Sequence, residues 1–358
     1  VAHGTGRNSG VVHSGIYYAE GSLRAQLCVS GAQKMLDYVN EHRLWNDWCG
    51  KLLVPPTESS LDSMDVLLSR GLANGVEMHK VTGGEALELE PRVNTQFDQA
   101  LYVPITSVVN PREVAERVRK DVVERGGVIH YGTQATAIDA RRGIVRTRMG
   151  RFETGAVINA AGLFADQVAE RAGLKTQYSF QPFKGKYWKH KDPDFSMQRL
   201  VYPVPDLNLP FLGVHTAHNQ KGEVYFGPSS TPVIGRENYQ GLDGVTLRDG
   251  LSLTASLVGK FLKNTNGLRT LSIREMKLMR LTGVCNELSK IITGVEPRSL
   301  ERSLVKVGIR SQIFDAKTQH LVNDFIVVPD ERVVHVLNAI SPAFTASFAF
   351  AEYILDTY

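Results

Sequence analysis

Apolar positions early in the chain recur at helical spacing. Leu23, Leu27, Met35, Leu36 and Val39 line one face of a segment that reads as a helix over 23–42, with Ser22 as its N-cap. Gly50 to Val54 reads as a strand, closed by Pro55-Pro56, and 59–74 as a second helix. Asn110 and Pro111 form a cap-and-first-turn pair that starts a helix running to 124 and stopping at Gly126-Gly127. Strands are expected at 128–131, 134–139 and 144–149. A run over 156–162 then ends in small residues and leads into a helix over 164–172. This succession predicts an α/β arrangement with a parallel sheet.

From about residue 180 to 235 the pattern changes. Short apolar runs at 186–190, 200–204, 211–215 and 223–227 alternate with Pro and Gly, which reads as an antiparallel sheet. Helices are expected over 246–263 and 273–291, strands at 304–309, 324–328 and 333–337, and a closing helix over 343–355. The fold class is therefore α/β (α+β overall): a discontinuous α/β lobe with an antiparallel lobe inserted. The predicted division is 1–75, 105–178 and 304–358 for the first lobe, and 76–104 with 179–303 for the second.

The chain has 358 residues, enough for two domains, and its 42% hydrophobic and 22% charged content is that of an ordinary globular protein. Forty-one basic residues against 37 acidic ones give a net charge of +4 without any long basic tract. That balance speaks against nucleic acid as a partner and suits a small anionic substrate. Cys28, Cys49 and Cys285 lie far apart, so no metal-binding spacing is present; they read as buried thiols of a reducing compartment. No run approaches the roughly 20 apolar residues that cross a bilayer.

Four segments carry chemistry. The opening run RNSGVVHSGIYY (7–18) is dense in glycine and polar residues, and reads either as a surface turn or as a ligand-contacting loop. VINAAGLFADQVAE (157–170) ends a buried strand in small residues beside a helix N-terminus, where a cofactor can approach the backbone. Arg310 ends a strand just after Gly308; it is either salt-bridged or a bidentate clamp for a carboxylate. The run 338–347 places Ser341, Pro342 and Thr345 at the start of the last helix, as a plain cap or as an anion-facing terminus.

The wording of these runs, and of GSLRAQLC (21–28), resembles the FAD-dependent D-amino-acid-oxidase-like superfamily. Within it, the chain resembles the L-2-hydroxyglutarate dehydrogenase/oxidase family. PFKGKY (182–187), YPVPD (202–206) and PFLGVH (210–215) support the resemblance. Lys184 stands where the family has Arg, Lys186 where it has an acid, and the stretch after His215 departs from the family wording. The resemblance implies an FAD/NAD(P)-binding Rossmann-like domain. That superfamily opens with a G-x-G-x-x-G unit of roughly 30 residues. None is found here, and the expectation is a chain starting just after it.

By position, the resemblance implies FAD contacts from Arg7, Asn8, Ser9, Gly10, Ala161, Gly162, Ser341, Pro342 and Thr345. Arg310 would hold the substrate carboxylate, Tyr17 and Tyr202 would line the pocket, and Lys184 would attract a second carboxylate. The hydroxyl proton would go to His215 or His13, with His215 ahead. The implied reaction oxidises L-2-hydroxyglutarate to 2-oxoglutarate, with a quinone or oxygen as acceptor. The alternatives are a sister flavoenzyme for another small anionic hydroxy acid, glycerol 3-phosphate or amino acid, and an inactive fragment. The implied location is cytoplasmic or peripheral to the inner membrane, mitochondrial in a eukaryote. No metal is expected.

Overall fold

In the computed structural model, residues 1–207 and 212–358 are described. The helix Leu23–Glu41 forms where its apolar spacing places it, and the Ser22 side chain accepts from the Ala25 N–H. Asn110 caps Pro111–Glu124 in the same way, accepting from the Arg112 N–H. Thr246 caps Leu247–Leu262. The closing helix Ala343–Thr357 packs against Leu23–Glu41, and their backbones meet at Gly31. A Cβ built there would lie 2.6 Å from the Ala346 Cα.

Among the described residues, parallel pairing occurs in two places. Val157–Asn159 runs parallel to Val333–Asn338, which pairs antiparallel with Ile326–Asp330. Lys51–Val54 runs parallel to Leu200–Pro203 and antiparallel to Gln99–Val103. The second sheet thus joins segments that the sequence divides between two lobes. The inserted antiparallel sheet is built on Phe183–His190, flanked by Val224–Gly227 on one side and Leu300–Arg310 on the other. His215–His218 completes it beside Val224–Gly227. The expected strand 211–215 begins at a residue outside the described ones.

Two expectations change, and one segment gains elements. Residues 128–131 form no strand, and Val128 and Tyr131 are exposed. The expected helix 273–291 is two helices, Leu268–Lys277 and Leu281–Leu288. Between them the chain folds so tightly that a Cβ on Gly283 would lie 2.0 Å from the Lys277 carbonyl oxygen. The segment 75–109, for which the sequence reading gave no elements, holds a strand His79–Thr82, a helix Gly83–Leu89 with a Thr82/Glu85 capping box, and strands Gln99–Val103 and Ser107–Val109.

Candidate functional site

The opening loop is held on two sides. Val11 and Val12 pair with Val108 and Ser107. The His13 N–H donates to Thr345 Oγ1 at 3.1 Å, and that hydroxyl donates to the Val11 carbonyl at 3.4 Å. Thr345 therefore fixes His13 against the first turn of the last helix, whose N-terminus no side chain caps. Within the loop, Gly10 N–H donates to Asn8 Oδ1 at 2.8 Å and Val11 N–H to Ser9 Oγ at 3.4 Å. These two donors are committed internally. Gly10 has φ +84°, and a Cβ there would lie 2.3 Å from the Val109 carbonyl. The glycine is required by the neighbouring strand. Arg7 stacks over Tyr239 at 3.8 Å and donates to the carbonyls of Ala2 and Val307.

His215 sits in the inserted sheet, 5% exposed. Its Nδ1 lies 2.8 Å from the Gly213 carbonyl, which can only accept. That contact sets the tautomer with hydrogen on Nδ1 and leaves Nε2 as the proton acceptor. The ring stacks on Tyr202 with centroids 3.8 Å apart. The two strands are tied by Val201 N–H donating to Thr216 Oγ1 at 2.7 Å, which sets this stack. Burial, with His13, Arg310 and Lys51 adding repulsion, pulls the His215 pKa down to about 3. His13 is lowered to about 3 by burial, then by Lys51 and Arg24. Both imidazoles are thus neutral at physiological pH.

Arg310 is opposite Phe183 in the sheet and donates to Ser230 Oγ at 2.8 Å. The buried Glu275 accepts from the Ser230 N–H at 2.6 Å, which fixes that serine. Tyr187, whose pKa burial pushes up to about 12, is within electrostatic reach of Arg310. Lys184 is turned elsewhere: strand alternation sends it away from the Gly185 face, and its Nζ donates to the Asn238 carbonyl at 2.7 Å. The structure brings His13, Tyr17, Tyr202, His215 and Arg310 into one neighbourhood and leaves Lys184 out of it.

Lys51 was not singled out in sequence. It is fully buried, with Nζ 4.9 Å from the Tyr17 ring centroid and 5.3 Å from that of Tyr202. A lysine inside an otherwise apolar strand is the signal that could have found it. Its Nζ has no hydrogen-bond partner among the described residues, and neither do His13 Nδ1, Ser14 Oγ, Tyr17 OH and Tyr202 OH.

A second region lies at the carboxyl end of Val157–Asn159. An open cleft of about 500 Å³ is lined by Ala135, Ile138, Ile158, Ala160, Ala161 and Phe164 among others. Asn159 organises the turn: Oδ1 accepts from the Ala161 N–H at 3.3 Å, and Nδ2 donates to the Ala165 carbonyl and to His335 Nδ1. Gly162 has φ +55° at the start of the short turn into Ala165–Arg171. At the last helix, Arg24 donates to the Ser341 carbonyl, and Pro342 directly precedes Ala343. The fold also brings together Asp47, Cys49 and His218, which sequence spacing did not reveal. His218 Nε2 and Asp47 Oδ2 bond to each other at 2.7 Å, and burial pushes the Cys49 thiol up to about 12.

The family described as FAD dependent oxidoreductase (DAO) matches residues 1–357. L-2-hydroxyglutarate dehydrogenase of Indibacter alkaliphilus is 33% identical over 99% of this chain and 88% of that protein. Its Escherichia coli K12 counterpart is 30% identical over 99% and 83%. The mitochondrial protein of Bos taurus is 31% identical over 99% and 80%. Among solved structures, the dithionite-reduced L-alpha-glycerophosphate oxidase of Mycoplasma pneumoniae with FAD bound has a TM-score of 0.76. It is 19% identical and is matched over 99% of this chain and 84% of its own. Glycine oxidase of Geobacillus kaustophilus has a TM-score of 0.64 at 17% identity, over 100% and 86%. These two likenesses bear on the fold.

Proposed function

The chain belongs to the FAD dependent oxidoreductase family, and from that premise we propose that it oxidises L-2-hydroxyglutarate to 2-oxoglutarate. The cofactor is FAD, which when bound supplies the hydride acceptor that no side chain can provide. The residues present fit it. Buried polar atoms of His13, Ser14 and Tyr17 that meet no hydrogen-bond partner among the described residues gather beside a helix N-terminus that none of those side chains caps. An open apolar cleft lies at the end of a parallel strand, where such folds hold nucleotides. Thr345, Ser341 and Pro342 with the opening loop would hold one end of it, and Ala161 and Gly162 the other.

The observation that carries the reading is His215. Its Nδ1–H is committed to Gly213, which leaves Nε2 as the neutral nitrogen that would accept the substrate hydroxyl proton. Arg310, held by Ser230, would clamp the C1 carboxylate. Tyr202 keeps the imidazole plane fixed from behind. His13, anchored through its backbone by Thr345, would support the cofactor side of the substrate.

Electrons then leave to a quinone or to oxygen. Among the described residues no helix is long and apolar enough to cross a membrane. The exposed apolar and basic face of helices Leu247–Leu262 and Leu268–Lys277 supports a peripheral seat on a membrane, with a quinone as acceptor. That surface would belong to the cytoplasmic membrane in a bacterium and to the mitochondrial inner membrane in a eukaryote.

The test is an anaerobic visible spectrum of the flavin-loaded protein. Bleaching of the flavin bands by L-2-hydroxyglutarate, and by neither its D-enantiomer nor glycerol 3-phosphate nor glycine, is the expected result. Flavin that bleaches only with one of the latter two would move the chain to a sister activity. Flavin that no 2-hydroxy acid bleaches would end the reading.

A further inference from the structure

We propose that Lys51 receives the second carboxylate of a dicarboxylic substrate and so selects diacids over monoacids of equal length. The inference rests on the 2-hydroxy-acid reading of the site given above and assigns the specificity within it. A buried ammonium is unfavourable unless something compensates it. Here Lys51 is fully buried, and no hydrogen-bond acceptor among the described residues meets its Nζ. The faces of Tyr17 and Tyr202 supply part of the compensation through their π-electrons. No carboxylate is among the charges acting on Lys51, His13 or His215. The carboxylate Glu275 acts on Arg310, beside Ser230, so the Lys51 side of the pocket is cationic and has no carboxylate counter-charge among the described residues.

The position of that charge argues for a second anion-binding point. His215 lies within electrostatic reach of both Arg310 and Lys51. The two cations come from different sheets, Arg310 from the strand Leu300–Arg310 and Lys51 from Lys51–Val54. A 2-hydroxy dicarboxylate has one anionic group next to its reacting carbon and another at its far end. Arg24, a further cation acting on His13 and Arg310, donates to the Asn323 and Ser341 carbonyls; with Arg310 on the first group, Lys51, whose Nζ meets no acceptor among the described residues, is the cation we assign to the second. Lys184, the sequence-based candidate, has its amine on the Asn238 carbonyl. Burial lowers the Lys51 pKa to about 8, so the amine still carries its charge at neutral pH.

Equilibrium binding of two unreactive five-carbon acids to the flavin-loaded protein separates the possibilities. Calorimetric Kd values for glutarate and pentanoate would be compared in wild type, K51M, K51Q and K51R, with flavin content and far-UV circular dichroism recorded for each. The neutral variants should weaken glutarate by about 10- to 100-fold, the loss expected for one charge-assisted hydrogen bond. Pentanoate should change by less than about 3-fold, and K51R should recover part of the glutarate affinity. Equal losses for both acids, unchanged glutarate binding, no glutarate binding to wild type, or failure of both neutral variants to fold would each overturn the assignment. Glutarate binding that depends on Lys51 in a protein whose flavin L-2-hydroxyglutarate does not bleach would keep the anion site and reject the reaction. Bleaching that is indifferent to Lys51 would do the reverse.

Discussion

His215 can serve as a base only while neutral, and its surroundings decide when that is. Burial and the nearby cations lower its pKa to about 3, so it takes a proton only as pH falls through that value. In the unbound enzyme the acceptor is therefore available throughout the physiological range. The kcat/KM profile, which reports the free enzyme, should show no acid limb near the usual imidazole value between pH 8 and 5. His215→Gln should lower kcat by about 10²- to 10⁴-fold with flavin content unchanged. A clear titration near pH 6.5 in wild type would point to a base other than these two buried imidazoles, and a near-normal kcat in the variant would point to His13 or to another base. At this scale the sequence was informative where a residue's role follows from its neighbours in the chain. Arg310 after Gly308, and His215 within the PFLGVH run that resembles the family, were picked out in this way, and the fold brings them within electrostatic reach of each other. It was uninformative for Lys184 and Lys51, because a side chain's direction depends on strand alternation and on partners far away in sequence.

Elements formed where the signal was local. The Ser22 and Asn110 caps mark helix starts in the sequence and accept backbone N–H groups in the structure, and Thr246 does so at the start of the helix expected over 246–263. Residues 128–131 have strand-like composition, but a strand also needs a neighbour, which composition cannot supply. The contact between the helices Leu23–Glu41 and Ala343–Thr357 was equally hidden, although the site hangs on it. Thr345, which holds the His13 N–H, lies at the crossing where Gly31 lets the two backbones touch. A Cβ on Gly31 would lie 2.6 Å from the Ala346 Cα and 2.8 Å from the Thr345 carbonyl oxygen, and backbone cannot rotate out of the way. Gly31→Ala should therefore destabilise the protein by about 1–3 kcal/mol and reduce flavin retention, although alanine favours helix by about 1 kcal/mol. Gly259, in Leu247–Leu262, has open space around it, and Gly259→Ala is the control. It should be neutral or stabilising by up to about 1 kcal/mol. Thermal melts with flavin fluorescence distinguish the two, and a Gly31→Ala protein as stable as wild type would remove this crossing as the support of the site.

On the scale of the whole molecule, a net charge of +4 says little until its distribution is considered. In the segment 246–280 the acids are Asp249 and Glu275. Asp249 pairs with Arg236, and Glu275 is buried against the Ser230 N–H. The outward cations Lys263, Arg269, Lys277 and Arg280 therefore meet no exposed acid from their own segment. In the same segment, Leu247, Leu251, Val258 and Leu262 repeat at helical spacing and are 81%, 67%, 53% and 72% exposed, and Met276 and Met279 are 66% and 71% exposed. Exposed apolar side chains in one segment with cations that meet no acid of that segment would suit an anionic lipid surface, where each cation adds about 1 kcal/mol. The protein should sediment with vesicles containing phosphatidylglycerol, bind neutral phosphatidylcholine vesicles less, and be released from the former by about 0.5 M salt. The double substitution Leu251→Glu, Leu262→Glu should abolish sedimentation while leaving the flavin spectrum and turnover with a soluble dye unchanged. Turnover with a membrane quinone should fall in that variant. If the variant still sediments, or if wild type binds neutral and anionic vesicles alike, this face is not the one that meets the membrane, and the quinone loses its structural support as the acceptor.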